Sequence, residues 1–196
     1  MQLSKFSYYA DFVVYPALIT VLAATGLWHS GWTALGEWLL AALVGAACWT
    51  LLEYGLHRVA FHRVGPIVRM HALHHAAPLA LIGAPTWLSA TILVSAVFLP
   101  LWWLTPLTVA SGLSAGLMSG YLWYVTVHHV VHHREPRLLA ARTVGLRRRH
   151  MVHHYAHRRG NFGVTTAFWD SVFRTTLTPR AVDLETPCTR MTRLAD

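Results

Sequence analysis

Histidines in this chain are grouped, and the grouping suggests metal chemistry. Fourteen occur among 196 residues. All but His29 and His157 fall into four boxes: His57-x4-His62, His71-x2-His74-His75, His128-His129-x2-His132-His133, and His150-x2-His153-His154. The pattern H-x-x-H-H recurs three times, at 71–75, 129–133 and 150–154. On a helix, residues three and four apart share a face. His150, His153 and His154 therefore point at one spot. So do His128 and His132, by the logic that lets H-E-x-x-H hold zinc. His57 and His62 are five apart, a looser spacing that fits a helix end or a local distortion. A neutral imidazole is a good ligand for iron, zinc or copper. Ten convergent imidazoles exceed what one ion accepts, so two ions are expected. His129, His133 and His157 are supernumerary, and the isolated His29 reads as an interfacial polar residue.

The elements that must position these boxes are apolar helices. Hydrophobic residues make up 55% of the chain and charged ones only 12%, against about 25% charged in an ordinary soluble domain. Mean hydropathy is +0.40. Four apolar stretches stand out, roughly Phe12–Trp28, Glu37–Tyr54, Trp87–Leu104 and Pro106–Val127. A bilayer span takes about 20 apolar residues, so the first two are short and are expected to extend at their ends. Lys5 is the only basic residue before the first stretch and no small-residue cleavage site follows it, so that stretch reads as a retained span. Tight interfacial turns are expected around His29–Gly36 and around Pro100–Pro106, where Trp102 and Trp103 lie.

The charges agree with this division. Net charge is +8, which alone would fit nucleic-acid binding, but the distribution points to a membrane instead. Lys5 precedes the first span and Arg58, Arg63 and Arg69 follow the second; the remaining basic residues, Arg134 to Arg193, follow the fourth. Neither short turn holds a Lys or Arg. Two helical hairpins with both termini inside place all 16 basic residues, and every histidine but His29, on the cytoplasmic face. The expectation is an all-α integral membrane protein of four spans with a histidine-rich cytosolic cap. Residues 1–175 form one membrane-embedded domain, and 176–196 form a loosely ordered polar tail. Cys48 and Cys188 suggest neither a disulfide framework nor a CxxC metal site.

The string Leu52-Glu53-Tyr54-Gly55-Leu56-His57-Arg58-Val59-Ala60-Phe61-His62 resembles the first box of the fatty acid hydroxylase/sterol desaturase superfamily. The segment from Asn161-Phe162-Gly163 through Trp169-Asp170 to Thr175 is similar to the signature after that family's last box. The order of all four boxes matches, as does a two-span hairpin between the second and third, so the resemblance covers residues 50–175. Within the superfamily the chain is most similar to the fatty acid (ceramide) 2-hydroxylases. Carried over residue by residue, the resemblance implies ten ligands: His57, His62, His71, His74, His75, His128, His132, His150, His153 and His154. His129-x2-His132-His133 is also a legitimate third box, so His129 competes with His128. Arg174 and Ala167 stand where the family often has Gly and Pro. Neither position touches the ligand set.

The resemblance implies two iron ions with O2 as co-substrate, though zinc can fill such a site in purified preparations. An unactivated C–H bond is too strong for side-chain acid–base chemistry, so a redox metal must supply the oxidising power. The implied reaction is hydroxylation of a fatty acyl chain or acyl lipid that enters from the bilayer. No catalytic residue is expected beyond the ligands. Many relatives carry a fused haem domain, for which this length leaves no room, so the two electrons are expected from a separate redox protein steered to the basic face. Glu53 and Asp170 lie outside the ligand spacing and read either as acceptors that orient a ligand histidine or as helix caps. Alternatives from nearby chemistry are a carotenoid ring hydroxylase or a lipid or sterol desaturase. Alternatives from other classes are a membrane haem protein, which needs histidines within the spans, or a metal transporter, which needs polar residues along them.

Overall fold

In the computed structural model of this chain, residues 1–133 and 137–178 are described, and every regular element among them is helical. Arg134, Arg180, Arg190, Arg193 and Cys188 lie outside the described residues, as does the expected tail from 179 onward. Cys48 is exposed and free. The order is α1 (Lys5–Tyr9), α2 (Asp11–Ser30), α3 (Leu35–Gly55), α4 (Gly65–Ala76), α5 (Thr86–Leu93), α6 (Leu99–Leu104), α7 (Leu107–His132), α8 (Arg137–Tyr155) and α9 (Phe168–Val172). Two π-helical turns, Leu56–Phe61 and Val94–Phe98, continue α3 and join α5 to α6.

Local chemistry sets the breaks. Gly31 ends α2 at φ 75, a conformation glycine adopts without steric cost. The second π-turn ends two residues before Pro100, whose ring removes an i→i−4 hydrogen bond and loosens the helix there. The hairpin turn is narrower than expected. Pro100 stays inside the helical run, and the chain breaks only at Thr105, forced into extended conformation (φ −140, ψ 163) by the following Pro106.

Among the described residues, three helical runs are long and apolar enough to cross a membrane: Lys5–Ser30, Leu35–Phe61 and Thr86–Leu104. The first two do extend past the apolar stretches, to 26 and 27 residues. Their flanks expose large apolar side chains such as Val13, Leu40 and Leu43, which a water-facing surface of this extent would not do. The expected fourth span forms α7, 26 residues long, but it is less apolar than the other three. The reason is its place in the bundle. α7 packs along α3 and α2, and its buried positions include Ser111, Gly112, Ser114, Ala115 and Gly116. Small residues let helix backbones approach closely, and a helix wrapped by its neighbours needs no greasy outer surface.

The contact with α3 is closest along Gly112, Gly116 and Gly120. A Cβ on Gly116 would run into the Ala42 carbonyl, and one on Gly120 would meet the Trp49 ring at 2.5 Å. α2 crosses α7 in the opposite direction: the Ser30 and Thr108 hydroxyls meet at one end, and Tyr8 meets His129 at the other. A core of Tyr15, Leu22, Leu93, Ala115 and Met118 fills the space between α2, α5 and α7. α3 and α7 thus run side by side and deliver their C-terminal ends, with their histidines, to the same end of the bundle. His29 lies exposed at the other end.

Candidate metal centre

Four segments meet above those helix ends. The first is the π-turn Leu56–Phe61 that extends α3. Five residues of α-helix rotate a side chain by about 140°, which would send His57 and His62 to different faces. The i→i+5 bonding of a π-turn widens the coil, and the two rings stack with centroids 5.4 Å apart. α4 starts at Gly65-Pro66 and brings His71, His74 and His75. α7 supplies His128 and His132, and α8 supplies His150, His153 and His154.

All ten rings converge, in two groups. His57, His62, His71 and His153 form one and His74, His128, His132 and His150 the other, with ligand atoms within 4.8 Å of one another in each. His75 joins the first, its Nε2 lying 3.0 Å from that of His71 and 3.1 Å from that of His153. His154 joins the second, with Nε2 3.0 Å from that of His150. α4 and α8 therefore divide their histidines between the two clusters, whereas the π-turn serves only the first and α7 only the second.

These nitrogens fit a cation better than they fit one another. His71 Nε2 lies 3.2 Å from Nε2 of His57, 3.2 Å from that of His62 and 3.0 Å from that of His75. A ring nitrogen carries either one proton or one lone pair, so hydrogen bonds cannot satisfy that crossing. Two nitrogens bound to one ion at about 2.1 Å stand about 3.0 Å apart at a right angle and about 3.4 Å apart at the tetrahedral angle. The separations run from 2.8 Å for His132–His150 to 3.3 Å for His62–His153. Protonation also favours ligation. Burial, and then neighbouring charges (mostly other imidazoles), hold His62 and His74 down at about 4 and His153 at about 3. The same causes push His71, His150 and His154 well below the usual imidazole range. At neutral pH these six rings are uncharged, with a lone pair to give.

The supernumerary histidines are not among the ten clustered rings. His129 turns to the N-terminal segment, where its Nδ1 meets the Tyr8 hydroxyl at 3.1 Å and its ring packs on Phe12. His128, not His129, thus enters the second cluster. His133 stacks on His129 and lines, with Tyr8, His74 and His128, a cavity of about 10 Å3 beside that cluster, room for about one water molecule. His157 is exposed.

A loop that follows α8 completes the site. The loop of residues 160–165, between α8 and α9, presents carbonyls to the first cluster: His57 Nδ1 donates to the Phe162 carbonyl at 2.5 Å and His153 Nδ1 to that of Gly160 at 2.8 Å. Glu53 and Asp170 bind the amides of this loop rather than a histidine. Asn161, at φ 53, ties the loop to the Arg149 carbonyl and to both backbone groups of Leu177. The sequence marks the two acids, Glu53 in the first box and Asp170 within the signature segment, but not the amides they bind.

Comparison with known proteins converges on one family. The profile described as fatty acid hydroxylase matches residues 42–175. Human fatty acid 2-hydroxylase is 31% identical over 156 residues, covering 74% of this chain and 41% of that protein. The ceramide very long chain fatty acid hydroxylase of Saccharomyces cerevisiae is 35% identical, covering 70% of this chain and 38% of that one. A dihydroceramide fatty acyl 2-hydroxylase of Arabidopsis thaliana is 34% identical, covering 69% and 60%. The chain thus spans about two fifths of the human and yeast relatives. A solved structure of full-length Scs7p, in which only the hydroxylase domain is visible, superposes with TM-score 0.75 at 30% identity, covering 92% of this chain and 70% of that one.

Proposed function

The chain belongs to the fatty acid hydroxylase family, and on that premise we propose that it is a membrane-bound lipid hydroxylase acting on an acyl chain through two histidine-held metal ions. The observation that carries this reading is the pair of five-histidine clusters with crossed Nε2 atoms. His57, His62, His71, His75 and His153 hold one ion, and His74, His128, His132, His150 and His154 the other. Iron is the metal of choice, because imidazole suits it and the reaction needs redox chemistry. Two such ions supply, from O2 and two electrons, oxidising power that no side chain has.

The protein's own residues do the rest. Helices α3 and α7 carry the clusters to the bundle end, so that a lipid entering between helices brings its reacting carbon up to the metals while its tail stays in the bilayer. The relatives named above are 2-hydroxylases and ceramide hydroxylases, which supports attack at the carbon beside the acyl carbonyl. α7 is the fourth crossing. Both chain ends and the clusters face the cytoplasm, where the exposed Arg147, Arg148, Arg158 and Arg159 offer an acidic electron carrier a landing surface. Arg159 is near enough to His62 to help depress its pKa, so this basic surface reaches the rim of the first cluster.

The test is the source of the product oxygen. Membranes holding the iron-loaded protein, given a reductant and isotope-labelled O2, are expected to place the label in the hydroxyl of the acyl lipid. Label arriving from water, or no hydroxylated lipid, would overturn the reading.

A further inference from the structure

Building on the two-metal reading above, we propose that Glu53 and Asp170 are positioning residues of the first cluster, holding the 160–165 loop so that two of its carbonyls aim His57 and His153 at one point. Four successive loop amides point at these carboxylates. Phe162 N–H donates to Asp170 Oδ1 at 2.9 Å and Gly163 N–H to Asp170 Oδ2 at 2.9 Å. Val164 N–H donates to Glu53 Oε1 at 2.6 Å and Thr165 N–H to the same oxygen at 3.0 Å. The Thr165 hydroxyl donates to Glu53 Oε2, and the Thr175 hydroxyl to Asp170 Oδ1 at 2.7 Å. Arg149 closes the set on Asp170 Oδ2 at 3.1 Å. Both acids are buried, Asp170 completely. A buried carboxylate that accepts this many hydrogen bonds is fixed in place, and so is the backbone that donates to it.

With its amides committed, the loop turns the carbonyls of Gly160 and Phe162 toward the histidines. A carbonyl only accepts. It therefore keeps the proton of His57 and of His153 on Nδ1 and leaves the lone pair on Nε2, which faces the cluster. Glu53 also lies on α3, one helical turn before His57, so a single helix end sets both the ring and the loop that orients it. The second cluster lacks this support among the described residues, since Nδ1 of His150 and of His154 are buried without a partner. The two ions are therefore held unequally, the first more firmly.

The experiment measures metal release from the full chain, purified in detergent and loaded anaerobically with ferrous iron, under a chelator. Wild type is expected to release two ions in two phases. Asp170→Asn keeps the side-chain shape but turns an NH2 toward a loop amide, and is expected to speed the slow phase by about 10–100-fold while leaving the fast one unchanged. Thr165→Val should give a smaller acceleration of the same phase, and Thr165→Ser, which restores the hydroxyl, should return it to wild type. If Asp170→Asn does not fold, the Thr165 pair decides. Unchanged release in the variants, or equal acceleration of both phases, overturns the positioning role. A folded wild type that binds no metal overturns the two-metal reading itself, and this proposal with it.

Discussion

His75 of α4 lies flat against His154 of α8, with ring centroids 4.1 Å apart and planes 15° from parallel. One belongs to each cluster, so the two clusters share a wall. His62, by contrast, sits half-buried at the outer rim of the first cluster. His62→Ala is therefore expected to lower metal content to about one ion per chain. His154→Ala removes a donor from the second cluster and the stacking face of His75 from the first, and should drop content below one. Elemental analysis of the anaerobically iron-loaded variants distinguishes these outcomes. Equal losses would mean that the clusters do not communicate through this wall.

The approach of α3 to α7 sets the distance between the π-turn histidines and those of α7. Gly116→Val would push a side chain into the Ala42 backbone, which cannot move aside as a flexible side chain would. Overpacking of this kind costs about 1–3 kcal/mol. A lower melting temperature in detergent and weaker metal retention are expected together. Gly36→Ala, at a position with nothing within 4 Å, should leave stability unchanged or slightly raised. Similar melting temperatures for the two variants would show that the close approach is not needed.

Reporter tags at both ends of the chain should read out from the cytoplasm, because in the proposed four-crossing topology every Lys and Arg in the sequence falls on one side of the membrane. A signal from the opposite compartment at either terminus would remove α7 as the fourth crossing or invert the whole arrangement.

The histidine boxes on α4, α7 and α8 are legible because residues three and four apart share a helix face, a property of local sequence; the full set of ten is what the family resemblance implies. Their division into two clusters is not legible, because α4 and α8 each split their histidines by tertiary placement: His71 and His75 go one way and His74 the other. The five-residue gap from His57 to His62 signalled a distortion without naming it, and the π-turn is that distortion. The apolar stretch Pro106–Val127 marks α7 as a helix, but apolarity does not show that its neighbours enclose it. The repeat of glycine at 112, 116 and 120 is the sequence feature that carries the close approach. Glu53 and Asp170 drew notice as isolated acids, but their role depends on a loop fold that no spacing rule describes.

The most direct test compares the lipids of cells that express the wild-type chain, His153→Ala, His157→Ala or His29→Ala, with the metal content of each purified protein. His153 sits within the first cluster, held by the Gly160 carbonyl, and no nearby side chain can replace it. Its loss is expected to abolish acyl hydroxylation and lower the metal count. His157 and His29, both exposed and outside the clusters, are expected to leave hydroxylated lipid and metal near wild type. Hydroxylated acyl lipid at wild-type levels from His153→Ala, with its metal intact, would contradict the account, as would no hydroxylated lipid from the metal-loaded wild type.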